Sequence, residues 1–282
     1  MPEKLDRLAD LGDRYDVIFC DVWGVLHNGV QAWPLAVEAL AGFRNRGGKV
    51  VLITNAPRRR YGVSEQLGHM GVEAGAYDRI VTSGDVTRDL IEAGSSDIYF
   101  IGPDRDLSLF EDLPVKFVSL ADAGSAVCTG LFDDEHESPE DYRSILEDIK
   151  RKNLALICAN PDLVVERGNR LVPCAGSIAA LYESLGGQTL VSGKPHAPIY
   201  DAALAAAVEA GGDVPKKRIL AIGDGMPTDV RGARDFGVDL LYVSDGIHGR
   251  EYTRGAVVDE EKLHAFLARH DAQPIAWMQR LR

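Results

Sequence analysis

The sequence predicts an α/β protein built on a doubly wound parallel sheet, and three observations predict it. Four short apolar runs, VIFC at 17–20, VVLI at 50–53, ILAI at 219–222 and LLYV at 240–243, have the unbroken apolar character of strands buried on both faces. Helical patterns separate them. Polar residues follow each run closely: Asp21, then Thr54 and Asn55, then Asp224, then Ser244 and Asp245. Parallel strands all point one way, so these residues gather along one edge, outside the carboxyl ends, where open α/β sheets bind ligands.

Taken in order, the first run leads into DVWGVLHNG at 21–29, where Gly24 and the pair Asn28 and Gly29 signal turns. Ala36, Val37, Leu40 and Phe43 then mark one helical face, closed by Gly47 and Gly48. The second run continues as TNAPRRR, and the arginines Arg58, Arg59 and Arg60 read as a solvated face. A second set of elements follows: AVCTGLF, a helix entered by Ser138 and Pro139, then LALICAN and LVVERGNRLVP. Ser at the cap, Pro at the first helical position, acids Glu140 and Asp141 early and Lys150, Arg151 and Lys152 late all suit a helix dipole. Residues 86–189 are therefore expected to form an inserted α/β cap domain, with 1–85 and 190–282 joined as one core domain. A length of 282 residues, more than one hydrophobic core usually serves, agrees with two domains. IYDAALAAAVEA at 199–210 is the helix before the third run, stopped by Gly211 and Gly212.

Composition narrows the function. A formal charge of −12 and the lack of a basic stripe argue against a nucleic-acid backbone as partner. The opening stretch MPEKLDRLADLGDRY is charged throughout, without the apolar core of a signal peptide, and no later run approaches a membrane span. A cytoplasmic protein with no membrane partner is the expectation. Cys20, Cys128, Cys158 and Cys174 stand singly rather than at zinc-site spacing, and read as small buried hydrophobes.

The chemistry rests on four segments. Asp21, fixed at a strand end, is a carboxylate that can attack phosphorus and split one difficult displacement into two; alone, it reads more readily as a turn cap, and the other segments shift that balance. GDGMPTD at 223–229 puts Asp224 and Asp229 on a glycine turn entering a helix, an oxygen-rich set suited to Mg2+. The same segment has two glycines of a dinucleotide fingerprint, but Thr228 stands where the third belongs and Asp224 would face a pyrophosphate with like charge. Thr54 and Asn55 can hydrogen-bond a phosphoryl oxygen. Lys194, in SGKPHAP, can neutralise both a nucleophilic carboxylate and a transferring phosphate, although by itself it is an ordinary turn lysine.

In this order the segments resemble the haloacid dehalogenase-like (HAD) superfamily, whose four motifs match Asp21, Thr54, Lys194, and Asp224 with Asp229. ANPD at 159–162, PCAGSIAALYESLGG at 173–187, GKPHAPIYDAAL at 193–204 and VSDGIHG at 243–249 are similar to the branch with a large α/β cap, subfamily IIA. That branch includes nucleotide, 4-nitrophenyl, phosphoglycolate and pyridoxal phosphate phosphatases. The resemblance implies a Rossmann-like core and a Mg2+-dependent phosphohydrolase that acts on a small phosphorylated metabolite through an aspartyl-phosphate intermediate at Asp21. It implies Mg2+ on the Asp21 carboxylate, the Trp23 backbone carbonyl and Asp224, with Asp229 in or near the metal's shell. Thr54 and Asn55 would hold the phosphoryl group, Lys194 would balance charge, and the cap from Asn160 to Ser177 would face the substrate. It also allows a homo-oligomer.

One position departs from the pattern. Phosphatases of the superfamily carry a second Asp two residues after the nucleophile, as the acid and base of the reaction; here Trp23 stands there. Indole has no proton that titrates near neutral pH, so that assistance is lost unless His27 or Asp162 supplies it. Two alternatives follow: a metal-free dehalogenase-like hydrolase, or a catalytically weakened binding or regulatory protein for a phosphorylated compound.

Overall fold

The computed structural model describes residues 2–168, 170–254 and 257–282; Asn169, within the LVVERGNRLVP stretch, lies outside the described residues. The chain divides into two compact units, one of Met1–Thr54, Ser64–Val81 and Tyr200–Arg282, the other of Asn55–Val63 and Thr82–Ile199.

The first unit is built on a seven-stranded sheet in the order Glu3–Lys4, Ala276–Met278, Asp239–Val243, Ile219–Gly223, Val17–Asp21, Lys49–Thr54, Arg79–Thr82. Neighbours from Glu3–Lys4 across to Lys49–Thr54 run parallel. The four apolar runs are its four contiguous middle strands. Every residue of Val17–Asp21 and Ile219–Gly223 is buried, as expected of strands covered on both faces. The chain leaves Val17–Asp21 toward Lys49–Thr54 on one side and returns through Ile219–Gly223 on the other, so the topological switch point lies between Val17–Asp21 and Ile219–Gly223.

Helix Pro34–Asn45 carries the predicted face, with Pro at its start and Ala36, Leu40 and Phe43 buried. Arg44 near its end makes a two-pronged pair with Asp78, Nε to Oδ2 at 2.9 Å and Nη2 to Oδ1 at 2.7 Å. Asp78 Oδ2 also accepts the Val50 amide at 2.8 Å, tying helix, strand and the turn before Arg79–Thr82 together.

The second unit has a parallel five-stranded sheet in the order Thr189–Val191, Leu156–Cys158, Ser125–Cys128, Asp97–Ile101, Lys116–Phe117. The period of two sorts its side chains into two cores: Ala126, Cys128, Leu156 and Cys158 face one, and Val127 and Ile157 the other. The cysteines there pack as small hydrophobes, and burial pushes the Cys158 thiol up to about 12. The helix entered at Ser138 begins as a tight 3-10 turn, Pro139–Tyr142, before continuing as Arg143–Arg151. Ser138 N–H and its hydroxyl both donate to Asp141 Oδ2 at 2.8 Å, so the early acid reaches back to the residue that opens the helix. A hairpin, Val164–Arg167 with Arg170–Pro173, completes the described strands of this unit. Among the described residues no helix is long and apolar enough to cross a membrane.

Candidate functional site

The switch point of the first unit gathers three of the acids read from the sequence. Cys20 and Ile222 are register partners, so Asp21 and the Gly223–Asp224 step leave their strands side by side. One carboxylate oxygen each from Asp21, Asp224 and Asp229 lies within 4.8 Å of the others. All three are buried, at 8%, 4% and 5% exposure. At an effective dielectric near 20, two such charges repel by about 3 kcal/mol per pair, so the cluster calls for positive charge. The donor set is oxygen only, which fits a hard divalent cation.

The backbone shapes the cradle. Gly24 has φ +77°, a left-handed conformation, and a Cβ there would sit 2.3 Å from Asp224 Oδ2. On the other side, a Cβ at Gly246 would sit 1.9 Å from the same oxygen. The Asp224 carboxylate is thus wedged between two bare Cα atoms, and Ile247 N–H donates to its Oδ2 at 2.6 Å. Asp229 lies in a single wide helical turn, Met226–Val230, that precedes helix Arg231–Phe236. Its Oδ2 accepts from Gly225 N–H at 3.1 Å and from the Thr228 hydroxyl at 3.3 Å. Thr228, the residue that breaks the dinucleotide fingerprint, is therefore a support for a carboxylate. Thr54, buried, ends strand Lys49–Thr54 one step past Ile53, the register partner of Asp21.

Trp23 is half-buried, with its indole held by the following turn. The His27 ring meets it edge-on at 4.9 Å between centroids. Gly29, at φ +82°, leaves room for it: a Cβ there would lie 2.5 Å from two atoms of the indole. His27 is buried and its Nδ1 accepts Gly29 N–H at 2.9 Å, a bond open only to an unprotonated nitrogen.

Asn55, Asp162 and Lys194 belong to the second unit and meet there. Asn55 Nδ2 donates to Asp162 Oδ1 at 2.8 Å and to the Lys194 carbonyl at 3.3 Å, and its Oδ1 accepts Lys194 N–H at 2.8 Å. Lys194 is 3% exposed, which rules out the ordinary surface-turn reading. Gly193 permits this packing, since a Cβ there would press on Ser83, Asn55 and Pro161. Asn55 thus braces the backbone that carries Lys194, a role its sequence position did not suggest.

Gly246, Ile247 and His248 were not singled out as site residues. Their motif, VSDGIHG, was legible; its contact with Asp224, across 23 residues of chain, was not.

A family pattern described as haloacid dehalogenase-like hydrolase matches residues 18–116, and one described as HAD-hydrolase-like matches residues 191–267. A crystal structure of a haloacid dehalogenase-like hydrolase from Brucella suis 1330 is 50% identical, covers 100% of both chains and superposes with a TM-score of 0.89. A D-glycerol 3-phosphate phosphatase of Mycobacterium tuberculosis is 29% identical over 86% of this chain, which spans 66% of that protein's length. The 5'-nucleotidase YutF of Bacillus subtilis is 25% identical over 84% of this chain and 90% of its own.

Proposed function

The chain belongs to the haloacid dehalogenase-like hydrolase family, and from that premise we propose that it is a Mg2+-dependent phosphohydrolase acting on a small phosphorylated metabolite. The observation that carries this reading is the buried trio of Asp21, Asp224 and Asp229 at the switch point of the first unit's sheet. A metal-free dehalogenase has no use for such a trio.

In the reaction, an oxygen of the Asp21 carboxylate attacks phosphorus, the bond to the ester oxygen breaks, and the leaving group departs with the electron pair as its oxyanion, which takes a proton from solvent. Water then attacks phosphorus and gives up a proton to solvent as the bond between phosphorus and the Asp21 oxygen breaks, releasing phosphate and restoring the carboxylate. Mg2+, when bound, neutralises the carboxylates and the phosphoryl oxygens. Asp21, Asp224, Asp229 and the Trp23 carbonyl are the proposed ligands. Thr54 and Asn55 are proposed for the phosphoryl oxygens and Lys194 for charge balance. We read the second unit as the cap that sets the substrate. The phosphatase names of the tuberculosis and Bacillus relatives support a phosphate ester as substrate.

Trp23 decides which esters react. Without an acid at that position the leaving oxygen departs unaided, so aryl and acyl phosphates turn over while alkyl phosphates are slow. General acid–base help is worth about 10²–10⁴-fold, and the gap between ester types falls in that range. Comparing aryl and alkyl phosphates with wild type and Trp23→Asp tests this: the substitution raises the alkyl rate and narrows the gap. Equal wild-type rates on both ester classes sink the leaving-group argument. Because Trp23 also favours a binding protein, the same assay separates the two: tight ligand binding with negligible turnover of every ester, at saturating Mg2+, favours binding.

A further inference from the structure

We infer that His248 is a positioning residue for the acidic loop: as the hydrogen-bond acceptor for the Met226 amide, it fixes the turn that carries Asp229 and joins that turn to the segment holding Asp224. The inference deepens the proposed function and rests on its reading of 223–229 as the cation loop.

The structural chain is short. His248 Nε2 accepts Met226 N–H at 3.2 Å. Met226 opens the wide turn Met226–Val230, and Gly225 beside it supplies the amide that Asp229 accepts. At the start of a helical turn the first amides have no partner within the turn, so an outside acceptor determines how the turn is pinned. Among the described hydrogen bonds, His248 fills that place for Met226. The residue before it, Ile247, donates its amide to Asp224 Oδ2 at 2.6 Å, and Gly246 packs bare against the same carboxylate. One turn of chain, 246–248, therefore touches both arms of the loop.

That turn is itself anchored. Ser244 N–H donates to Met278 O and Asp245 N–H to Gln279 O, each at 2.9 Å. Tyr252 OH donates to the Ser244 carbonyl at 2.9 Å, which leaves Tyr242 OH as the donor in its 2.9 Å contact with Tyr252. The His248 ring lies against Phe266, 5.3 Å between centroids, with His270 at 6.4 Å. Burial lowers the pKa of His248, with Glu251 opposing and His270 adding to the shift, which favours the uncharged ring that the acceptor role at Nε2 requires. Groups of this kind orient metal ligands without touching the metal, and losing one typically costs about 10–100-fold in affinity.

The experiment uses the full chain with His248→Phe, which keeps an aromatic ring against Phe266 but cannot accept, and His248→Gln, whose amide oxygen can. Two readouts are taken: exchange of the Met226 backbone amide, and Mg2+ affinity by calorimetry. The expected result is at least tenfold faster Met226 exchange and about tenfold or more weaker Mg2+ binding in His248→Phe, with both largely restored in His248→Gln. Unchanged Met226 exchange in His248→Phe overturns the inference, as does a Gln variant no better than Phe. If wild type itself binds no Mg2+, the proposed function fails, while the exchange comparison still decides whether His248 positions the loop.

Discussion

At the scale of single residues, the site depends on atoms that are missing as much as on those present. Asp224 is held where it is because Gly24 and Gly246 have no Cβ to exclude it. Gly246→Ala puts a methyl group 1.9 Å from the carboxylate, with Gly24 closing the other side. The expected outcome is a loss of Mg2+ affinity of tenfold or more with a modest stability cost, about 1–3 kcal/mol for overpacking; calorimetry and thermal denaturation measure the two. An Ala variant with wild-type affinity shows that the carboxylate is free to move. The carboxylates themselves were readable in the sequence because each stands just after an apolar run or on a glycine turn. Gly246 and His248 were not, because their role is defined by contacts to residues more than twenty positions away. Asn55 lies between these cases: its place after a strand pointed to phosphate, while its side chain is engaged with Lys194 and Asp162.

At the scale of elements, the sequence located the strands of the first unit's sheet that are long and apolar and passed over the short ones. Glu3–Lys4, Arg79–Thr82 and Ala276–Met278 have two to four residues each, too few for a period to register. Arg79–Thr82 is secured at its entry by the Arg44–Asp78 pair instead. Burial acts to raise the Asp78 carboxyl, but the hydrogen bond from Arg44, the Val50 amide and the nearby charges of Arg44 and Lys49 outweigh it and hold its pKa below the usual range. A carboxyl depressed in the folded state stabilises fully above its unfolded pKa, near 4, and that contribution fades as pH falls through the folded value. Asp78→Asn is therefore expected to cost about 1.5–3 kcal/mol of stability at neutral pH, read as a lower melting temperature, and to remove part of the decline expected below about pH 4. Parallel melting curves for the two proteins at every pH contradict this.

At the scale of the whole molecule, the parallel sheet determines which residues meet. Its strand order brings two segments some 200 residues apart in sequence to one switch point, and the acids that follow them become a single cluster. That convergence was legible because strand direction is fixed in a parallel sheet; the support from the 246–248 turn was not, because it comes from a loop. The second unit shows the same logic, with its two apolar cores sorted by alternation along three parallel strands.

Whether Asp21 carries the phosphoryl group is decided by acid quenching during turnover of an aryl phosphate with Mg2+. Mass spectrometry of the peptide containing Asp21 should then show one added phosphoryl group, absent in Asp21→Asn and absent when chelator replaces Mg2+. Steady turnover with no phosphoryl group on that peptide, or turnover that survives both the chelator and the Asn substitution, excludes Asp21 as the nucleophile.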